Sequence, residues 1–217
     1  MAQLRANPSF HRTCAKSRAG RRIQTLCVMN KLSESIARFM RTVASGQVEI
    51  YNEFSLHHEL GIFLRAQWPE LKIQFERNVS YFGVAKENFT KREMDIAVFS
   101  PDRKTLHYAI ELKFPRSGQH PEQMFSFCKD IAFAEELHAA GFRQTAFVAV
   151  ADDPLFYRGA VNGIYAYFRG QKPLAGTVTK PTGAKNDSVK VRGPYTIRWV
   201  PVAGTTQYTL VTVGDDA

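Results

Sequence analysis

The sequence predicts an α/β protein built on a mixed β-sheet. Three observations carry this reading. The middle of the chain runs helix, strand, strand, strand, helix, strand. The strands before the long helix lie close enough for hairpins, whereas the run after it, 144–151 (Gln-Thr-Ala-Phe-Val-Ala-Val-Ala), reads as a buried strand reached by a helical crossover. From residue 171 onward Gly, Pro and Thr become frequent between β-like runs.

The elements follow in order. Leu32, Ile36, Phe39, Met40 and Val43 recur at helical spacing, so a helix is expected over 31–44, stopping near Gly46. A second is expected at 53–67, capped by Asn52, with Pro69 beyond its end and Leu56, Leu60, Phe63 and Leu64 on its apolar face. Alternation over 71–82 (Leu71, Ile73 and Phe75 against Lys72, Gln74 and Glu76) predicts a strand. Further strands are expected at 93–99 and 105–114, joined by the turn-forming Ser100-Pro101-Asp102-Arg103-Lys104. A Gly/Pro loop, 115–121, leads into a long helix at 122–140 that Gly141 ends. After the buried strand 144–151, Asp152-Asp153-Pro154 is a break. A strand is expected at 163–169, with β-like runs at 174–180, 189–192, 195–200 and 207–213.

The chain has 217 residues, 44% apolar and 23% charged, ordinary values for a globular protein. Its longest apolar runs are far below the roughly 20 residues that span a bilayer, so no membrane partner is expected. The net charge of +9 is uneven. Residues 1–28 hold six basic side chains and no acidic one. The remaining 23 basic and 20 acidic residues leave +3 for 29–217. The tail 1–28 reads as basic and poorly structured, with Met29 as the functional start. A second basic cluster, Lys180, Lys185, Lys190, Arg192 and Arg198, offers phosphate contacts or simply a solvated hairpin. Cys14, Cys27 and Cys128 fit no zinc spacing and no secretory framework, which suits a reducing cytoplasm.

Chemistry concentrates in two strands. Glu93-Met94-Asp95-Ile96-Ala97-Val98-Phe99 sets an acid beside an apolar run. In Tyr108-Ala109-Ile110-Glu111-Leu112-Lys113, Glu111 and Lys113 are two apart and share a face of a largely apolar strand. A buried charge must be paired or bound to metal. The hairpin brings Asp95 beside Glu111, and a divalent cation relieves the repulsion of two such carboxylates. Oxygen ligands suit Mg2+ or Mn2+.

Asp95, followed sixteen residues later by Glu111-Leu112-Lys113, within this element order, resembles the PD-(D/E)XK nuclease superfamily, which includes many restriction endonucleases. The resemblance covers about 52–151; Met94 stands where the superfamily usually has proline. It implies a restriction endonuclease-like αβββαβ core, assigned to 29–170, with 171–217 as a β-rich extension packed on it. It implies a Mg2+- or Mn2+-dependent nuclease, a DNA endonuclease of restriction or defence type. Asp95, Glu111 and the Leu112 backbone carbonyl would hold metal. Lys113 would orient or deprotonate the attacking water and stabilise the phosphorane charge. The alternative is a protein that keeps the nuclease fold to bind nucleic acid or a partner without catalysis.

The superfamily often adds a glutamate from the first core helix. At about 100° per residue, Glu53 falls on the Leu56–Leu60–Leu64 line and Glu59 about 85° away, so Glu53 is favoured and Glu59 kept. Gln123, at the start of the long helix, is a further supporting candidate, as is Glu93. His57, His58 and His120 show no metal spacing and read as surface or groove residues. DNA contacts are expected from Lys91, Arg92 and Arg116 near the centre and from Lys190 and Arg192 in the β-rich arm. A homodimer would suit cutting both strands.

Overall fold

The computed structural model describes residues 31–84, 89–116, 118–183 and 187–214. The tail 1–28 lies outside them. Two helices open the described chain, α1 (Lys31–Ala44) and α2 (Glu53–Gln67). Asn52 caps α2 in a reciprocal box: its side chain accepts the Ser55 N–H at 2.8 Å, while Ser55 Oγ accepts the Asn52 N–H at 3.0 Å. This fixes Glu53 in the first turn, where a carboxylate also faces the positive end of the helix dipole.

Strand β1 spans Lys72–Asn78, and a 3-10 turn at Val79–Phe82 replaces the last third of the strand expected there. Asn78 causes the break: its side chain accepts the Ser80 N–H at 3.1 Å and starts the turn. Strands β2 (Glu93–Phe99), β3 (Leu106–Lys113) and β4 (Gln144–Ala151) and helix α3 (His120–Ala139) lie where expected. Tyr165–Phe168 is a single helical turn, α4, rather than the strand expected at 163–169. The alternating Tyr-Ala-Tyr-Phe pattern misleads because Phe168 packs against Phe127 of α3 and its carbonyl accepts the Trp199 indole N–H at 2.8 Å, so the segment joins no sheet. Then come β5 (Leu174–Thr179), β6 (Ser188–Tyr195), β7 (Trp199–Ala203) and β8 (Thr206–Val213).

The fold is mixed α/β, with a six-stranded sheet in the order β1-β2-β3-β4-β8-β7 and a separate β5–β6 pair. Only β3 and β4 run parallel, joined by the α3 crossover. Strand parity divides the core. Ile96, Val98, Ile110, Leu112, Val148 and Val150 pack under α1 and α2. Ala97, Phe99, Ala109, Phe147 and Ala149 face α3, and their alanines let that helix approach closely. Asp95, Glu111 and Lys113 share the parity of the α3 face. Every β4 residue is buried, because helices cover both its faces and strands flank both its edges. The β5–β6 pair is fastened to α3 by buried Glu135, which accepts the Arg192 and Gly193 N–H groups and the Tyr195 hydroxyl, each at 2.9 Å.

Candidate active site

The antiparallel pairing of β2 with β3 sets Asp95 beside Glu111 at the ends of the two strands. The Asp95 N–H donates to Glu111 Oε1 at 3.3 Å, and the Leu112 N–H donates to Asp95 Oδ2 at 2.7 Å. Glu111 has no exposed surface, and Asp95 is also buried. Burial, followed by the Asp95 charge, raises the Glu111 pKa well above the usual carboxylate range, although Lys91 opposes the shift.

Lys113 lies next to this pair. Its ammonium donates to Glu53 Oε1 at 3.3 Å and to the Leu112 carbonyl at 3.1 Å, and it lies 3.8 Å from Asp130 Oδ2. Glu53 also accepts the Phe114 N–H at 3.0 Å, which ties the first turn of α2 to the end of β3. Burial pulls the Lys113 pKa down, but Asp130, Asp95 and Glu53 outweigh it and leave the group raised.

Two members of the cluster come from outside the pattern read in the sequence. Asp130, on α3, is 2% exposed and turns toward the strand ends. Burial raises its pKa, against the pull of Lys113 and Lys91. Lys91 turns inward: its ammonium pairs with Glu111 Oε2 and donates to Asp130 Oδ1 at 2.9 Å. Burial lowers its pKa, yet Glu111, Asp130 and Asp95 together raise it. The signal for Asp130 was an acid set among the apolar residues of α3, Phe127, Cys128, Ile131 and Phe133. Nothing local in Lys91-Arg92 distinguished the inward lysine from the outward arginine.

The remaining candidates divide. Glu59 faces away from the cluster and its nearest charged contact is His58, at 3.4 Å. Gln123 is half-buried in the first turn of α3, with its backbone N–H bonded to Gln119. Arg92 and Glu93 are exposed at the rim. Arg116 is exposed, pairs with Asp152 at 2.5 Å and lies over the Phe114 ring. Lys190 and Arg192 are exposed on β6. Two cavities flank the cluster. One of about 560 Å3 is lined by Lys91, Lys113, Lys129 and Lys190 together with Asp130, Glu136 and Asp187. The other, about 710 Å3, is lined by Glu53, His57, Glu76, Arg92 and Asp95. His57 belongs to the cluster's edge, with Nε2 3.7 Å from Asp95 Oδ2.

No family model, curated protein or solved structure matches this chain. The geometry alone therefore bears on function. Glu53, Asp95, Glu111 and Asp130 face the ammonium groups of Lys91 and Lys113. Fully ionised, this set carries a charge of −2, which one divalent cation balances. The donors are hard oxygens, the set that Mg2+ and Mn2+ take.

Proposed function

We propose that this protein is a divalent-cation-dependent nuclease with a PD-(D/E)XK centre and a restriction endonuclease-like core. The observation that carries the reading is the buried Asp95–Glu111 pair with Lys113 beside it, at the ends of two hairpin strands and closed by Glu53 from the first core helix. Asp95, Glu111 and the Leu112 carbonyl would hold Mg2+ or Mn2+. When bound, the cation polarises the phosphodiester and lowers the pKa of an attacking water.

The chain's own residues supply the rest. Asp130, Asp95 and Glu53 favour the ammonium form of Lys113 in the metal-free site, where it acts as a donor. It orients the water and neutralises charge on the phosphorane oxygens. Glu53 holds Lys113 in place from the far side. Lys91 balances Glu111 and Asp130, its one ammonium touching both. The cavity beside Lys113 mixes lysines with Asp130, Glu136 and Asp187, and Lys129 is paired with Asp187 at 2.8 Å, so Lys190 is the contact proposed for a phosphate backbone, one that reads charge rather than sequence. DNA is the favoured substrate and a homodimer the favoured assembly, both on the resemblance of the motif.

The test is direct. Supercoiled plasmid, linear duplex, single-stranded DNA and RNA are each incubated with the protein in Mg2+, Mn2+ or EDTA. Metal-dependent cutting is expected, with Lys113→Ala slower by about 10²–10³-fold. Binding of nucleic acid without turnover on every substrate would refute the catalytic reading and favour a non-catalytic binding protein.

A further inference from the structure

We infer that His57, Glu76 and Asp95 form a binding site for a first-row transition dication, distinct in its donors from the oxygen-only centre on Glu111. The three side chains come from α2, β1 and β2, and one ligand atom from each lies within 4.8 Å of the others. His57 Nδ1 is 3.7 Å from Glu76 Oε1, and His57 Nε2 is 3.7 Å from Asp95 Oδ2.

These separations are too long for hydrogen bonds. The two contacts use different ring nitrogens, so a single ion takes one nitrogen of His57 together with the two carboxylates, and the 4.8 Å within which one ligand atom of each residue lies leaves room for it. At about 2.1 Å from the metal, neighbouring octahedral ligands lie about 3.0 Å apart and opposite ones about 4.2 Å apart. His57 Nε2 is buried and has no hydrogen-bond partner. A buried imidazole nitrogen without a partner is costly unless something occupies its lone pair or its proton.

Glu76 supplies a second, independent observation. Phe75 pairs with Ile96 and Arg77 with Met94, so Glu76 falls across from Asp95. Two carboxylates opposite each other on neighbouring strands repel. Glu76 also holds φ at +51°, a left-handed conformation inside a strand. For a residue other than glycine this conformation is strained and survives only where other interactions fix it. Here it brings the Glu76 carboxylate to the imidazole. The cavity lined by Glu53, His57, Glu76, Arg92 and Asp95 gives solvent access.

One nitrogen and two carboxylates favour Mn2+-like ions over Mg2+, because imidazole binds transition metals better than it binds hard alkaline-earth ions. The site shares Asp95 with the proposed nuclease centre but needs no cleavage activity.

The full chain, free of any histidine tag, is loaded with Mn2+ and measured by pulsed electron paramagnetic resonance for coupling to an imidazole ¹⁴N nucleus. Coupling is expected in the wild type and in His58→Gln, and its loss in His57→Gln. Glu76→Gln, at an exposed carboxylate that the fold does not need, is expected to weaken Mn2+ binding about tenfold or more in titration calorimetry. Absence of nitrogen coupling in the wild type, or coupling that persists in His57→Gln, would overturn the assignment. Cutting without nitrogen coupling sinks this site and leaves the nuclease reading standing. Nitrogen coupling without cutting does the reverse.

Discussion

Replacing Lys91 by methionine removes one ammonium from two buried carboxylates and keeps most of the apolar stem. Glu111 and Asp130 are 0% and 2% exposed, so both lose a counter-charge inside the protein. Without Lys91, Glu111 avoids isolation by taking up a proton. Keeping a carboxyl with an ordinary pKa of 4.5 protonated at pH 7 costs about 1.4 kcal/mol per pH unit, or about 3.4 kcal/mol. That figure is a ceiling. The wild type already bears part of it, since burial raises Glu111 even with Lys91 in contact. The metal-free variant is expected to lose stability by less than this ceiling, by the part that the wild type does not already bear. The sign follows from the raised folded pKa. Above the ordinary value of 4.5 the folded state holds a proton that the unfolded state has released, so stability falls as pH rises toward the folded pKa. The variant raises that pKa further. Its deficit therefore opens as pH climbs past the raised folded pKa of the wild type and closes below it, a change that a scan from about pH 4.5 to 9 spans. Urea unfolding in EDTA across this range measures it, and saturating Mg2+ is expected to recover most of the loss. A deficit equal at both ends of the range, or absent at its alkaline end, would refute the assignment of Lys91 as the counter-charge.

Asp95→Asn is expected to lose the Mg2+-dependent rise in Tm while still folding, because an asparagine oxygen can accept the Leu112 N–H; thermal unfolding with and without metal checks this. Gly61→Ala should destabilise by about 1–2 kcal/mol although alanine favours helices, since a Cβ there would lie 2.1 Å from the Phe75 ring. Urea titration gives the sign. Glu135→Ala removes the acceptor for two backbone N–H groups and the Tyr195 hydroxyl and should cost about 3 kcal/mol in the same assay. Cys128, whose thiol burial pushes up to about 12, should stay unreactive toward a thiol reagent at pH 8 in a Cys14→Ser, Cys27→Ser background and react once urea unfolds the chain.

Asp95, Glu111 and Lys113 were legible because a strand's period of two fixes which side chains share a face and the apolar neighbours show that the face is buried. Glu53 was legible for a similar reason, through the helical angle it shares with Leu56 and Leu60. Both arguments are local. Asp130 escaped because it reaches the cluster only through the packing of α3 on the sheet, 39 residues from Lys91 in the chain, and Lys91 was read as a DNA contact because nothing local shows it turning inward. His57 and Glu76 escaped because their meeting depends on the β1–β2 register and on a positive φ that no pattern in Phe75-Glu76-Arg77 announces. The 163–169 segment was misread because alternating aromatics fit a strand and a single helical turn equally well.

The pairing of β4 with β8 has a consequence for synthesis. Ala151 ends the first strand and Val213 ends its partner. At 5–20 residues per second, about 3–12 s separate their emergence from the ribosome. During that interval Gln144–Ala151, eight residues without a charge, has an unpaired backbone edge on the side that β8 will cover. Uncharged open edges recruit other strands. The nascent chain is therefore most vulnerable to aggregation after the strands that carry Asp95 and Glu111 have been made and before β8 arrives. Slow translation of 152–205 would lengthen that exposure, and a chaperone that binds extended apolar segments would find its natural target there.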